Sequence, residues 1–434
     1  MSRTIAIVGA GPSGFYALDG LTRALPDARI DLIDRLPTPY GLARFGVAPD
    51  HQGTKAVTRQ FDRLLAKPGV RFLGGVEIGR DVSLAELRGL YDAVLIASGC
   101  PRDRKLGIPG EDLRGVHGSA AFTAWFNGHP DLADLAPPLA DARSIAVIGN
   151  GNVAIDVARV LAKTADEMAK SDIAPHASAL IAGADIVAIG MHGRRGPAEA
   201  SFTNNELAEL GRLHDRAPVV AAADLEGVAP SDADPTPERL RKQKNIDILR
   251  GFASGAPSDR KRALSFGFHH TPVALHGVEG RVRELELADT RDPSRRRRIA
   301  ADLVVTCIGY DFDGPPGLPL DRGRLANDEG RVRGLSGVYV VGWAKRGPSG
   351  TIPTNRADSL AVAERLVADL ATAGSSEPGP AALDALLAAR GVVVTDTAGW
   401  RRIEMAENAG GLAEGRPRVK LATWDALRAT ASPA

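Results

Sequence analysis

Short apolar runs alternate along this chain with longer stretches in which leucine and valine recur at helical spacing. Residues 5–8 form the first apolar run, and Leu18, Leu21 and Leu25 then follow three or four residues apart. A second apolar run covers residues 30–33. This order predicts a strand, a helix and a second strand, with the two strands parallel and joined by a right-handed crossover.

The same pattern returns in the middle of the chain. Residues 145–148 predict a strand, and Val153, Val157 and Leu161 share one face of the helix predicted after it. Apolar residues 186–189 predict the strand that follows. The chain therefore contains two βαβ units, and no tandem repeat beyond this duplication is visible.

Other segments complete the predicted organisation. Buried strands are predicted from apolar runs at residues 93–97, 301–309 and 337–342, and helices at residues 60–65 and 358–371. Alternating apolar positions predict antiparallel strands at Leu264, Phe266 and Phe268, and at Leu285 and Leu287. Segments without periodicity predict a long shaped loop at 37–51, a hairpin tip at 295–298 and a linker at 374–379.

Composition excludes several classes of protein. The chain has 434 residues, 44% of them hydrophobic, which is enough for two or three domains with real cores and excludes a mainly disordered chain. The 54 basic residues nearly balance the 53 acidic ones, so no overall basic field favours nucleic acid. Glycine and proline, 48 and 29 residues, make about 18% of the chain against roughly 12% in ordinary proteins. This excess predicts many tight turns and close backbone approaches, as in nucleotide-binding proteins.

Cysteine usage and hydropathy predict a cytoplasmic protein. Cys100 and Cys307 lie in separate apolar runs, so neither a disulfide scaffold nor a CxxC redox or zinc pair is expected. Charged residues, glycine or proline interrupt each apolar run before the roughly 20 residues of a membrane helix, and no targeting peptide is predicted. No metal site is predicted either.

The turn after the first predicted strand has the pattern of a dinucleotide-binding loop. Gly9, Gly11 and Gly14 form Gly-x-Gly-x-x-Gly between a strand and a helix, where glycine permits the sharp turn and a close approach to a pyrophosphate. Asp34 stands at the end of the next strand, where a carboxylate can accept hydrogen bonds from a ribose diol. The alternative is that these are turn glycines and that Asp34 is an ordinary strand-end carboxylate.

The second glycine loop differs from the first in an informative way. Its third position is Ala154, and the strand after it leads into Arg194 and Arg195 in place of a carboxylate. Guanidinium groups suit a 2′-phosphate, which favours NADP over NAD; the alternative is a solvated basic turn. Two such loops in one chain predict a tightly held FAD, an exchanging NADPH and hydride transfer between them.

Several long motifs then identify a family resemblance. AIVGAGPSGFYA, PTPYGLARFGVAPDH, GNGNVAIDVAR, GRRGPAEASFTNNEL and YVVGWAKRGPSGTI together resemble the adrenodoxin reductase-type ferredoxin–NADP reductases, including bacterial members. The terminal GRPRVKLATWDAL is similar to the ending of the bacterial homologues. The resemblance spans nearly the whole chain. It implies an α/β fold with two Rossmann-like dinucleotide-binding domains of glutathione-reductase type.

The resemblance also implies which residues contact each cofactor. Besides the first glycine loop, the positions that match FAD contacts are Ser13, Asp34, Leu42, Ile78, Trp343, Gly350, Thr351 and Ile352. Those that match NADP contacts are Asn150, Gly151, Asn152, Val153, Arg194, Arg195, Glu206 and Gly350, with Arg104 as a further candidate. Asp34 stands where family members commonly have glutamate, so its shorter reach makes it the least secure FAD contact.

Three residues are expected at the catalytic centre. By the resemblance, His51 and Glu209 form a hydrogen-bonded pair at the ring site that orients groups or handles a proton, and Trp343 covers the flavin. The alternatives are that His51 is a loop histidine without a kinetic part and that Trp343 is a core aromatic residue.

The expected electron acceptor is a ferredoxin-type iron–sulfur protein, which can feed an oxygenase such as a cytochrome P450. Such partners are acidic, and the candidate docking residues are basic: Arg212, Arg216, Arg239, Arg241, Lys242 and Lys244. The alternative is that these side chains only interact with solvent.

The sequence thus predicts a flavoenzyme whose NADP domain, residues 107–336, is inserted into an FAD domain formed by 1–106 and 337–434. A monomer is expected. Two alternatives for the function stay open at this point: a reductase of small acceptors such as quinones, and a redox-sensing module that binds nucleotides without turnover.

Overall fold

The computed structural model describes residues 2–255, 262–372, 374 and 378–433. Of the linker predicted at 374–379, residues 375–377 lie outside the described residues. Among the residues that are described, no helix is both long and apolar enough to cross a membrane.

The strands of the described residues occur in chain order as β1 Thr4–Val8, β2 Arg29–Asp34, β3 Val70–Gly74, β4 Ala93–Ile96, β5 Arg102–Asp103, β6 Val116–Gly118, β7 Ser144–Ile148, β8 Ala188–His192, β9 Arg216–Val220, β10 Arg262–Gly267, β11 His270–Val278, β12 Arg281–Asp289, β13 Arg296–Ala300, β14 Leu303–Thr306, β15 Tyr310–Asp311, β16 Leu320–Asp321, β17 Arg324–Leu325, β18 Asn327–Asp328, β19 Arg331–Val332 and β20 Val338–Val340.

The α-helices of the same residues are α1 Pro12–Ala24, α2 Leu42–Phe45, α3 Gln52–Lys55, α4 Thr58–Leu65, α5 Leu84–Leu90, α6 Ser119–Phe126, α7 Asn152–Ala162, α8 Ala165–Met168, α9 Pro175–Ala182, α10 Asn204–Glu209, α11 Thr236–Ala253, α12 Trp343–Arg346, α13 Ile352–Thr372, α14 Pro380–Ala389, α15 Thr397–Ala413 and α16 Trp424–Ala431.

The first sheet has the strand order β18-β19-β20-β4-β1-β2-β3. Its five strands from β20 to β3 are parallel, and β18 and β19 extend one edge in antiparallel pairing. All five residues of β1 are buried, as expected for a parallel strand covered on both faces. On one face, Phe15 and Leu18 of α1 share a core with Leu366 of α13 and Trp400 of α15. The predicted parallel βαβ unit at the start of the chain is therefore confirmed.

The second sheet is parallel throughout, with the order β6-β14-β7-β8-β10-β9. Helix α7 covers one face through Val157 and Val160. The antiparallel meander β11-β12-β13 covers the other, where Leu285 and Leu287 pack on Ile148. All strands of this sheet and of the meander come from the part of the chain between β4 and β20.

Two details differ from the sequence predictions. Leu264 and Phe266 belong to β10, which pairs in parallel with β8 and β9, so the antiparallel prediction was wrong there. Alternation arises because the two faces of a strand have different surroundings, and it says nothing about the direction of the neighbouring strand. The predicted hairpin tip at 295–298 was also wrong, because Arg296 begins β13, where it lies opposite Ala288 of β12.

The chain crosses between the two sheets through β5 and β15. These short strands pair with each other, Tyr310 opposite Asp103 and Asp311 opposite Arg102. The Asp103 carboxylate accepts backbone hydrogen bonds from Ala120 and Ala121 in the first turn of α6. The two crossings are therefore held side by side at one point.

Candidate active site between the two sheets

The first glycine loop has the backbone that its sequence predicts. Gly9 has φ +112°, and a Cβ at Gly14 would lie 2.2 Å from the Gly9 carbonyl oxygen, so both positions require glycine. At Gly11, just before α1, the nearest atom to an added Cβ would be the Cα of Gly41, 3.9 Å away. The loop thus leaves room beside Gly11 at the N-terminus of α1, where the helix dipole favours a phosphate.

Asp34 is held rigidly at the end of β2. Its two carboxylate oxygens accept one backbone hydrogen bond each, from Ala10 at 2.8 Å and from Leu36 at 2.9 Å. Burial raises the pKa of Asp34, and the two backbone bonds only partly offset this. Each oxygen keeps a free lone pair, so the carboxylate can still accept a ribose hydroxyl.

The other residues expected to contact FAD lie in different surroundings. Ser13 lies close to the backbone of Gly342: a Cβ added at Gly342 would lie 2.1 Å from the Ser13 Oγ. Leu42, the first residue of α2, is 44% exposed. Ile78 is buried in an apolar cluster with Val82, so only its backbone is available to a ligand.

Trp343, Gly350, Thr351 and Ile352 lie near one another around the start of α13. The Trp343 ring stacks on Tyr310 with 5.7 Å between centroids, and its Nε1 donates to the Ser349 carbonyl. Gly350 has φ +81°, and Ile352 begins the helix. The indole is thereby fixed on an aromatic partner that the sequence did not indicate.

The second glycine loop is tied to the following motif. The Asn152 Oδ1 accepts from the Thr203 backbone at 2.7 Å, and the Asn150 carbonyl accepts from Ser201 at 2.9 Å. The side-chain amide of Asn150 is buried with neither its oxygen nor its nitrogen hydrogen-bonded, and it lies against Gly193. An unsatisfied buried amide is costly, so this position suits a polar ligand.

Arg194 and Arg195 follow β8 after a single residue, Gly193. Both are exposed, and among the described residues neither side chain has a hydrogen-bond or ion-pair partner. Arg104 differs from them, since its guanidinium bonds Asp311 at 3.1 Å at the crossing between the sheets. The two adjacent arginines are therefore free to bind an anion, whereas Arg104 is already paired.

A charged cluster joins the loop at 37–51 to the second sheet's helices. His51 Nε2 lies 3.0 Å from Glu209 Oε2 and 3.5 Å from Glu206 Oε2, both on α10. The Arg159 side chain of α7 is completely buried and bonds Asp50 at 2.8 and 3.0 Å and Asp156 at 2.8 Å. Sequence reasoning predicted the His51–Glu209 contact and missed Arg159.

Arg159 neutralises most of the acidic groups around His51. It also lies 3.3 Å from Glu206 and 3.6 Å from Glu209. His51, Asp156 and Glu206 offer ligand atoms within 4.8 Å of one another, as a metal ion requires, but Arg159 already supplies a positive charge there. The only sequence signal for this role was a charged Asp156–Arg159 pair in an otherwise apolar helix.

These contacts shift the titration of the cluster. Burial, the largest single influence, lowers the pKa of His51, but the bond to Glu209 and the charges of Asp156 and Glu206 outweigh it, so the pKa is raised overall. The same bond lowers the pKa of Glu209. The pair is therefore poised to hold a proton on His51.

The candidate docking residues are not equivalent. Arg216 is only 2% exposed and donates to the carbonyls of Ile186 and Val187, so it cannot dock a partner. Lys242 pairs with Asp234 at 2.7 Å. Arg239 and Lys244, by contrast, are exposed on α11 and have no side-chain partner among the described residues.

Comparison with known proteins identifies relatives that match nearly the whole chain. The family model described as pyridine nucleotide-disulphide oxidoreductase matches residues 3–190. NADPH-ferredoxin reductase FprA of Mycobacterium tuberculosis is 40% identical over 96% of this chain and 97% of its own length. The mitochondrial NADPH:adrenodoxin oxidoreductase of Arabidopsis thaliana is 36% identical over 99% of this chain and 95% of its own length. Among solved structures, M. tuberculosis FprA in complex with NADPH matches with a TM-score of 0.94 and 38% identity, over 99% of this chain and all of that one.

The raised pKa of His51 predicts a pH-dependent contribution to stability. Because the folded state binds the proton more tightly, the contribution is fully present below the unfolded pKa of about 6.5 and is lost as pH rises through the raised value. His51→Gln should lower the free energy of unfolding by about 1 kcal/mol near pH 6, a modest value because Glu209 is partly exposed to solvent. The loss should be smaller near pH 9, where His51 is neutral in the folded protein as well. Chemical denaturation at both pH values measures this. His214→Gln, at an exposed histidine, is the control, and an equal loss at both pH values would contradict the assignment.

Proposed function

This chain belongs to the family of NADPH–ferredoxin reductases, and we propose that it passes electrons from NADPH through FAD to a ferredoxin-type iron–sulfur protein. The observation that carries the proposal is the pair of glycine loops on two separate parallel sheets, with the His51–Glu209 contact joining the two parts. The proposed boundaries are an FAD domain of residues 1–106 and 337–434 and an NADP domain of 107–336. The parallel strands of each sheet come from one of these parts, whereas the antiparallel edge strands β18 and β19 of the first sheet come from residues 327–332.

FAD fits the first loop. The space beside Gly11 suits the pyrophosphate, and Asp34 has acceptor capacity for the ribose. The Thr38 hydroxyl is buried without a hydrogen-bond partner and is a further candidate contact in the loop that the resemblance marks. FAD, when bound, supplies a ring that accepts two electrons as hydride and can release them one at a time.

NADPH fits the second loop. The unsatisfied Asn150 amide and the backbone of Gly151, Asn152 and Val153 line the start of α7, and the free guanidinium groups of Arg194 and Arg195 suit the 2′-phosphate. We propose that Glu206 and Gly350 contact the nicotinamide half. Arg104 is the weakest member of the proposed set because Asp311 already pairs with it.

The chain's own residues then position the reacting rings and exclude water. Arg159 fixes Asp50, and the neighbouring His51 is hydrogen-bonded to Glu209. Trp343, stacked on Tyr310, covers the ring site from the side of α13. No protein nucleophile is needed, because positioning and a dry site are what hydride transfer demands of the protein.

The acceptor is proposed to dock on α11. Arg239 and Lys244 are exposed basic residues, and Leu240 between them is 65% exposed, so charge and apolar contact occur together. We further propose that the acceptor feeds an oxygenase such as a cytochrome P450, and that the enzyme works as a cytoplasmic monomer. Cys100 and Cys307 are both unpaired, which is compatible with a reducing compartment.

Arg194→Ala combined with Arg195→Ala should weaken NADP⁺ binding by about 100-fold or more, because a charge-assisted bond contributes about 1.5 to 3 kcal/mol. NAD⁺ binding should hardly change, since it lacks the 2′-phosphate. Isothermal titration calorimetry with both nucleotides measures the difference. Arg59→Ala with Arg63→Ala, two exposed arginines on α4, is the matched control. Equal losses for both nucleotides would refute the role of the two arginines.

Gly11→Ala should give a folded protein with at least about tenfold less bound FAD. The nearest atom to the added Cβ is the Gly41 Cα, at an ordinary contact distance of 3.9 Å, yet the Cβ occupies the space expected for the pyrophosphate. The absorbance ratio of flavin to protein after purification measures the occupancy. Gly89→Ala, where an added Cβ also meets nothing within 4 Å, is the control and should retain its flavin. Full FAD content in Gly11→Ala would contradict the assignment of FAD to the first glycine loop.

The acceptor is tested by anaerobic stopped-flow spectroscopy with NADPH, purified ferredoxins and a small quinone. Ferredoxin reduction should be faster than quinone reduction, and Arg239→Glu with Lys244→Glu should raise the KM for ferredoxin by about tenfold while leaving quinone reduction unchanged. The charge-matched control is Arg59→Glu with Arg63→Glu.

Faster reduction of the quinone than of any ferredoxin would favour a reductase of small acceptors. If the protein binds both nucleotides but its flavin absorbance does not fall when NADPH is added, a redox-sensing module would be favoured.

A further inference from the structure

Four buried polar side chains form a cluster where the two sheets meet, and we call Lys55, Asn127, Asp172 and Lys420 the lysine cluster. Their exposed fractions are 7%, 0%, 3% and 3%. Ionised side chains are rarely buried to this extent unless each is paired. The cluster is separate from the charged cluster around Arg159.

The contacts within the lysine cluster are short and shared. Lys55 Nζ donates to Asp172 Oδ1 at 2.6 Å and to Asn127 Oδ1 at 2.8 Å. Lys420 Nζ lies 3.0 Å from Asp172 Oδ2 and donates to Asn127 Oδ1 at 3.1 Å. The two lysine amino groups therefore share one carboxylate and one amide oxygen.

The members come from three distant parts of the chain. Lys55 ends α3, next to the first sheet, whereas Asn127 and Asp172 follow α6 and α8 of the inserted part. Lys420 comes from the segment between α15 and α16. Arg416 of the same segment donates to the carbonyls of Ser171 and Ile173. The C-terminal segment is thus bonded directly to the inserted part.

The lysine cluster also holds the segment that leads to His51. Lys420 Nζ donates to the Arg44 carbonyl at 3.2 Å. The Asn127 Nδ2 donates to the Val47 carbonyl at 3.1 Å, and the Asp172 backbone N–H donates to the Pro49 carbonyl at 3.1 Å. Three backbone carbonyls between residues 44 and 49 therefore bond to this one cluster.

The next two residues of the segment belong to the active site. Asp50 accepts from Arg159 and lies 2.7 Å from Lys163, and His51 reaches Glu209. The segment is held at one end by the lysine cluster and at the other by α7 and α10. Its position is therefore set on both sides.

We propose that Lys420 is a positioning residue for hydride transfer, which holds residues 44–49 so that His51 meets Glu209. The proposal rests on the proposed function, because it assigns His51 to the transfer site. It gives the C-terminal segment a role at a site that the segment does not itself enter.

The lysine cluster contains two lysines and only one acid, so the positioning role of Lys420 can be tested separately from its contribution to folding. When Lys420 is removed, Asp172 still pairs with Lys55, so no buried charge loses its counter-charge. Burial lowers the pKa of Lys420 well below its usual range despite the attraction of Asp172, so its ammonium form is costly in the folded state. A neutral side chain of similar length is therefore tolerated at position 420, whereas loss of Asp172 would leave two buried amines without an acid.

The test compares Lys420→Met with Lys170→Met in the FAD-loaded full chain. Lys170 is exposed, close to Asp172 in sequence, and has no side-chain partner among the described residues. The first readout is the pKa of His51 from NMR titration of labelled histidines, assigned by the signal missing in His51→Gln. It should fall toward the ordinary value of about 6.5 in Lys420→Met and stay raised in Lys170→Met.

The second readout is the rate of flavin reduction at saturating NADPH. It should fall by about 10- to 100-fold in Lys420→Met, the size of effect expected from a small misplacement of the reacting groups. The dissociation constant of NADP⁺ should change by less than about threefold, because its 2′-phosphate end is held by separate residues.

Each outcome decides the proposal. An unchanged His51 pKa would overturn it, whether or not the rate falls, and this readout does not depend on which acceptor the enzyme serves. If Lys420→Met lowers the FAD content, Lys420→Gln, which keeps an N–H donor for the Arg44 carbonyl, should restore both the flavin and the raised pKa. Failure of both variants to bind FAD would make Lys420 a folding residue and end the proposal.

Discussion

A buried guanidinium has to be neutralised where it lies, and the Arg159 side chain meets this constraint with acids from three parts of the chain. Asp50 comes from the long loop after β2, Asp156 from one helical turn earlier on α7, and Glu206 from α10. Leaving such a charge unpaired costs several kcal/mol, on the order of 3 to 5. The loop, α7 and α10 are therefore coupled, and the pairing of His51 with Glu209 follows from that coupling.

Features determined by local sequence were predictable. The conformations of Gly9 and Gly14 follow from the strand–turn–helix pattern alone, since a Cβ at either position would collide with backbone. The position of Arg194 and Arg195 just after a strand likewise follows from the local pattern. The His51–Glu209 contact was predicted only through the family resemblance, because the two residues are far apart in sequence.

Features determined by long-range contacts were not predictable. Arg216 looked like a surface cation, yet it is buried and donates to the carbonyls of Ile186 and Val187, just before β8. Arg159 gave only the weak signal of its neighbour Asp156, and Lys420 gave none, because their other acidic partners come from distant segments. The direction of β10 was wrong for a related reason: alternation reports which face is buried and carries no information on the neighbouring strand.

The interruption of the first sheet has a consequence for synthesis on the ribosome. Strand β4 emerges early, but its partner β20 is made only after the whole of the second sheet. Until then the backbone groups along one edge of β4 have no partner strand. All four residues of β4 are buried in the folded protein, and such an apolar exposed edge can pair with another nascent chain. The inserted part can complete its own sheet first, so the half that begins the polypeptide is the last to close.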